Sequence, residues 1–142
     1  MSFELTYVAP EQLRQWWMTV KPGIETCVTQ DSDELIPEDV YWVLKTGQAS
    51  LHIALMNGAY AGFLMLNQVT SQYNGSVKLN VWYAHHTGTD VNVIAESLAQ
   101  LEEMAGNINA TAITFRSDRL SFERWGSKLG FKIREFELVK EV

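Results

Sequence analysis

The spacing of apolar residues changes period several times along the chain, and each change predicts an element. Phe3 to Val8 is rich in aromatic and β-branched residues and stops at Ala9-Pro10, which predicts a first strand. Pro10 stands where a helix can begin. Leu13, Trp16, Trp17 and Val20 then recur at helical spacing until Pro22-Gly23, where that helix is expected to end. Ile24 to Gln30 fits either period, and Asp31-Ser32-Asp33 is a polar break. A second helix is expected from Ile36-Pro37 to about Gly47, with Val40, Tyr41, Val43 and Leu44 turned inward.

The middle of the chain reads as a three-stranded meander. Asn57-Gly58 and Asn74-Gly75 are both expected to form type I′ hairpin turns, because this dipeptide adopts positive φ cheaply. Leu51, Ile53 and Leu55 alternate in the first strand, Ala59 to Val69 is almost wholly apolar, and Val77, Leu79, Val81 and Tyr83 alternate in the third. After His86 the period becomes helical. Val91, Ile94, Ala95, Leu98, Leu101 and Met104 form one stripe, with Thr89 or Asp90 as N-cap and Gly106 as C-cap. Ala110 to Phe115 is a further strand, so residues 77–115 are expected to form a parallel β-α-β unit. Ser121 to Lys128 reads as a short helix stopped by Leu129-Gly130, and Phe131 to Val139 as a final strand. The expected fold is α/β (α+β): one domain over residues 1–142, with a single mixed, mostly antiparallel sheet, one parallel crossover and helices on both faces.

Composition narrows the class. A chain of 142 residues with 46% hydrophobic residues and five Trp can bury roughly 70% of its unfolded surface without a metal or disulfide. One cysteine, Cys27, cannot pair internally and reads as a small buried residue. The N-terminus Met1-Ser2-Phe3-Glu4 has no leader pattern, and the two features together point to the cytoplasm. The uncharged stretch between Lys45 and Lys78 is interrupted by Asn57-Gly58, Asn67-Gln68 and Asn74-Gly75, so it predicts buried strands and no membrane span. The net charge of −6 argues against nucleic-acid binding. Most Lys and Arg lie from Arg116 onward, which leaves room for a local anion site there.

Ligands of open α/β sheets bind beyond the carboxyl ends of parallel strands, where helix N-termini present free N–H groups. Those ends fall here at Tyr83-Ala84-His85-His86 and at Phe115-Arg116-Ser117, with Thr87-Gly88-Thr89-Asp90 leading into the helix between them. A tyrosine, two histidines and an arginine are therefore expected to converge. The same residues also have structural readings: Tyr83 as a core residue with its hydroxyl at the rim, His85-His86 as a loop pair, and Arg116 and Arg119 as partners of Asp118. No Cys/His spacing suggests a metal. Trp16-Trp17, at consecutive helical positions, cannot both face the core squarely.

This order of elements, closed by Lys128-Leu129-Gly130-Phe131 before the last strand, resembles the GNAT superfamily of N-acyltransferases. Small size and the pattern from Arg116-Ser117 to Lys140-Glu141-Val142 look like compact GNAT-fold proteins of tailed bacteriophages. The resemblance implies a cleft for acyl-CoA, such as acetyl-CoA, between splayed parallel strands, with the pantetheine arm along Val81, Trp82, Tyr83 and Ala84. It implies a pyrophosphate loop that falls on Thr89 to Ile94, where Asn92 and Ile94 stand in place of the family's glycines. A shifted loop of Thr87, Gly88 and Thr89 is the alternative, with Arg116 or Arg119 on a cofactor phosphate. The family's tyrosine acid falls on Gly126, and no Asp or Glu lies within Val77 to Tyr83, so Tyr83, His85 or His86 would have to move the proton.

Two readings follow from the resemblance. One is an acyl-CoA-dependent N-acyltransferase acting on a small-molecule or protein amine. The other is a catalytically degenerate GNAT-like domain that binds a protein partner, for instance a phage product acting on a host protein.

Overall fold

The computed structural model describes residues 2–30, 34–88, 91–116, 129–134 and 138–142. Strand β1 (Phe3–Val8) leads through a 3-10 turn (Pro10–Gln12) into α1 (Leu13–Gln30) and α2 (Pro37–Lys45). Then come β2 (Ser50–Met56), β3 (Ala59–Thr70), β4 (Val77–His86), α3 (Val91–Asn107) and β5 (Ala112–Phe115). Among the described residues five strands lie in sequence order, antiparallel from β1 to β4, with β5 parallel to β4. The mixed sheet and its single crossover are those expected from the sequence.

Helix α1 does not stop at Pro22-Gly23. It runs on through the stretch that fits either period, because Val20, Ile24 and Val28 continue one buried stripe. A proline inside a helix costs about 3 kcal/mol. Burying Ile24 and Val28 offsets this, at about 1.5–3 kcal/mol for each aliphatic side chain. Helix α2 matches expectation: Pro37 occupies its first turn, and the Asp39 carboxylate accepts from the Ile36 N–H at 3.0 Å. Trp16 and Trp17 are both half-buried against the core, Trp17 edge-on to Tyr41 at 4.8 Å.

The Asn57-Gly58 turn has positive φ at both residues, 52° and 80°, as the type I′ reading requires. The connection at Asn74-Gly75 differs. It is a six-residue loop, 71–76, in which the Gly75 N–H donates to the Ser71 carbonyl and the Ser76 N–H to the Asn74 side chain. Only Gly75 there has positive φ, because Asn74 uses its side chain to form an Asx turn instead.

Helix α3 buries Val93, Ser97, Leu101 and Ala105, while Ala95 is exposed, so its inward face is rotated from the expected stripe. Ser97 conceals this from pattern reading: it is polar, yet its hydroxyl donates to the Val93 carbonyl at 2.6 Å and needs no water. Gly106 is an ordinary helical residue. The left-handed residue is Asn109 (φ 56°), and Ala110 and Asn109 donate to the carbonyls of Ala105 and Gly106, the paired bonds of a Schellman end. Leu129-Gly130 forms a turn with Gly130 at φ 89°. The expected short helix, Ser121 to Lys128, and the caps Thr89 and Asp90 lie outside the described residues. Within the expected last strand, residues 131–134 and 138–139 carry no ladder, because alternation does not supply a pairing partner.

The sheet separates two apolar layers. On one face Leu13, Val20, Ile24, Val40 and Leu44 of the first two helices pack on Leu51, Ile53, Phe63 and Met65. On the other, Leu101 and Ala105 of α3 pack on Leu64, Leu66, Leu79 and Val81. Across β3, β4 and β5 the Asn80 side chain donates to Asn67 at 2.9 Å and accepts from Thr114 at 2.8 Å.

Candidate functional site

Two β-bulges shape the end of the sheet where a ligand is expected. In β3 the register slips between the pairs Ala54↔Gly62 and Leu55↔Tyr60, leaving Ala61 as the extra residue. In β4 it slips between Leu66↔Val81 and Met65↔Tyr83, leaving Trp82 extra. The second bulge overturns the expectation that Tyr83 alternates inward with Leu79 and Val81. Those two point toward α3, whereas Tyr83 lies in the layer under α1 and α2, with Trp82 stacked on it at 4.6 Å and 25°.

Downstream of the bulge, alternation resumes. His85 pairs across from Phe63 on the α1 face, its ring 5.7 Å from the Phe63 ring, while His86 faces the other way. A small cavity of about 180 Å³ joins His86, Thr87, Gly88 and Val93 of α3 with Tyr60 and Ala61. The expected convergence therefore divides: Tyr83 and His85 share one face, and His86 shares the other with Thr87 and Gly88. Thr87 commits its N–H (2.9 Å) and its hydroxyl (3.4 Å) to the Ala61 carbonyl, so its backbone N–H is not available to a phosphate.

The parallel ladder ends at Val81↔Phe115, while β4 runs on from Trp82 to His86. Val81 itself belongs to the ladder and to the layer beneath α3, so the stretch of β4 that β5 does not accompany begins one residue later than the resemblance implied. The strand end is notched there, with Arg116 exposed one residue beyond the last pair. Thr89 and Arg119 lie outside the described residues.

Close packing holds β4 at this place. Gly62 has φ 150°, and a Cβ on it would overlap the His85 carbonyl and lie 2.8 Å from His86 Cα. A Cβ on Gly23 of α1 would sit 2.6 Å from His85 Cδ2 and 2.7 Å from Phe63 Cε2. The histidine ring is thus sandwiched between α1 and β3. Burial lowers the His85 pKa from its ordinary 6.5, and the neighbouring charge of His86 lowers it further, so His85 is a neutral base at physiological pH.

Sequence reasoning missed two further groups, which arrive from distant parts of the chain. The Cys27 thiol donates to the Ala84 carbonyl at 3.6 Å, across 57 residues. The Tyr60 hydroxyl is buried with no hydrogen-bond partner among the described residues. Burial and the nearby Cys27 raise its pKa to about 12. No spacing signal announces either residue. Among the described residues no three His, Cys, Asp or Glu side chains gather where they could hold a metal ion. No described helix is long and apolar enough to cross a membrane.

No family model and no curated protein matches the sequence. Solved structures do match over nearly the whole chain. An aminoglycoside acetyltransferase from an uncultured soil metagenomic sample is 15% identical, with a TM-score of 0.70, over 100% of this chain and 99% of its own. A ribosomal-protein-alanine N-acetyltransferase from Brucella melitensis biovar Abortus 2308 is 9% identical, with a TM-score of 0.69, over 99% and 98%. A second soil metagenomic aminoglycoside acetyltransferase, solved in complex with sisomicin, is 11% identical, with a TM-score of 0.67, over 99% and 93%.

Proposed function

We propose, from a chain that carries the GNAT fold, an acyl-CoA-dependent N-acyltransferase whose acceptor is a small-molecule amine. The observation that carries this reading is the notch: a parallel pair that stops at Val81↔Phe115, a bulge at Trp82, and a continuing β4 that ends beside the approach to α3. The main chain of Trp82 to Ala84 is suited to lie alongside an extended amide-bearing arm as an added strand would. Gly88 and Arg116, which follow the ends of the same two strands, would meet its anionic end. Aminoglycoside acetyltransferases among the structural neighbours support an amine acceptor of small size.

Acyl-CoA would supply an activated acyl group, so that transfer forms an amide C–N bond, breaks the thioester C–S bond and leaves CoA thiol. The residues of the chain have the remaining tasks. His85, neutral and held against Phe63 and α1, takes the proton that the amine gives up. Tyr83 lies on the same face, within the same layer, and is the group to return a proton to the leaving sulfur. His86 belongs to the opposite face and acts with Gly88 on the cofactor side.

Thermal unfolding with and without acetyl-CoA tests the reading. A ligand selective for the folded chain at a hundred times its Kd adds about 2.7 kcal/mol of stability. A rise in Tm with acetyl-CoA, followed by thiol release when an aminoglycoside is added, is the expected outcome. No shift at millimolar acetyl-CoA sinks it and leaves the degenerate, partner-binding reading.

A further inference from the structure

A second cavity, of about 580 Å³, lies at the other end of the sheet. Its walls come from the end of β1 at Tyr7 and Val8, the turn before β2, the far end of β3, the start of β4 at Leu79, and the last turn of α3 at Met104 and Asn107. Leu79 is five residues before Ala84 on β4, which at the rise of a strand separates this cavity from the notch by about 16 Å. The volume is within the range of about 300–1,000 Å³ typical of small-molecule sites.

Its chemistry differs from that of the notch. The chain carries 11 Lys and Arg and 17 Asp and Glu, yet among the described residues none of these lines the cavity. Leu44, Leu66, Leu79 and Met104 supply apolar surface, and the carboxamides of Gln68 and Asn107 supply paired donors and acceptors, while Asn67 Oδ1 already accepts from Asn80 and Gln48 Nε2 donates to Thr46. The wall also includes His52, which is 8% exposed. The Ser50 hydroxyl donates to the Leu66 carbonyl at 3.3 Å, so its oxygen accepts from His52 Nε2 at 2.9 Å. With the hydroxyl proton given to Leu66, this contact goes with the neutral tautomer that carries its proton on Nε2. Burial lowers the His52 pKa to about 4, which keeps the wall uncharged at physiological pH.

A multiply charged molecule such as acyl-CoA, or a polycationic amine, would lose hydration here with no charged lining residue to replace it, and the Lys45 ammonium at the rim is engaged with the carbonyl of the lining Pro10 at 3.2 Å. A neutral molecule with an apolar ring and an edge carrying both a donor and an acceptor meets the leucines with one part and the carboxamides with the other. We propose that this cavity is a second binding site, separate from the acyl-transfer notch, for an uncharged planar small molecule bearing a carboxamide or an equivalent nucleobase-like edge. The proposal does not depend on acyl transfer.

Benzamide and benzoate make a matched test, since they share a shape and differ in charge. In the full-length ¹⁵N-labelled chain at neutral pH, benzamide is expected to shift the backbone resonances of Ser50, His52, Asn67 and Asn107 saturably, with a Kd on the order of 1 mM for so small a probe. Benzoate should bind at least about tenfold more weakly, because its carboxylate must be desolvated without a partner. Gln68→Ala and Asn107→Ala, both at exposed positions that leave the fold intact, should each weaken benzamide about three- to tenfold, the effect of one lost hydrogen bond. Three results overturn the proposal: no saturable shift, equal binding of benzoate, or benzamide shifts confined to Trp82–Gly88.

Discussion

A histidine ring enclosed between strands cannot take up a proton without losing hydration. His52 is the clearest instance in this chain: it is buried on the α3 face beside Tyr7, whose ring is 5.5 Å away, and its Nδ1 has no hydrogen-bond partner among the described residues. Its folded pKa of about 4 lies below the ordinary 6.5, so the unfolded chain binds a proton more readily than the native one. The associated stability is complete above about pH 6.5 and is lost as pH falls toward 4, by roughly 3 kcal/mol in all. Urea unfolding at pH 7 and pH 4.5 should show this loss, and His52→Phe should abolish most of it. An unchanged pH dependence in the variant would assign the loss to other groups. The sequence displays His52 only as one polar residue in an apolar strand, and nothing local reveals that Ser50 holds its Nε2.

Elements respond to substitution according to what they touch, and two helical glycines show opposite signs. Gly106 in α3 has open space where a Cβ would go, so Gly106→Ala should stabilise the chain by about 0.5–1 kcal/mol through helix propensity alone. Gly23→Ala in α1 has the same propensity gain, but its methyl group would strike the buried Phe63 ring and the His85 ring. Overpacking of this kind costs about 1–3 kcal/mol, so the variant should be destabilised. Equal Tm shifts for the two substitutions would show that α1 yields freely at His85. The same contact explains why pattern reading ended α1 too early. Pro22-Gly23 looks like a stop when read locally, but in the fold Gly23 is where the helix backbone lies against the His85 ring of β4.

For the whole molecule, the proposed transfer reaction requires the two adjacent histidines to act from opposite faces of one strand. His85→Ala should lower kcat about a hundredfold, within the range for loss of a general base, and leave acetyl-CoA affinity unchanged. His86→Ala should weaken acetyl-CoA while sparing kcat. Since burial and the His86 charge both lower the His85 pKa, the acid limb of kcat should lie below pH 6.5, and His86→Gln should move it upward by removing that charge. A His85→Ala enzyme with full kcat would remove this residue from proton transfer.

Local signals were enough for β1, the Asn57-Gly58 hairpin, the α3 crossover and hence the sheet order, because periodicity and turn chemistry are properties of neighbouring residues. The shared end of β4 and β5, where the proposed site lies, was legible for the same reason. Its internal arrangement was not. Which face Tyr83 and His86 occupy depends on a bulge at Trp82, and the approach of Cys27 to Ala84 depends on α1 continuing past Pro22. Burial against residues dozens of positions away decides both, and a linear pattern does not record that packing free energy.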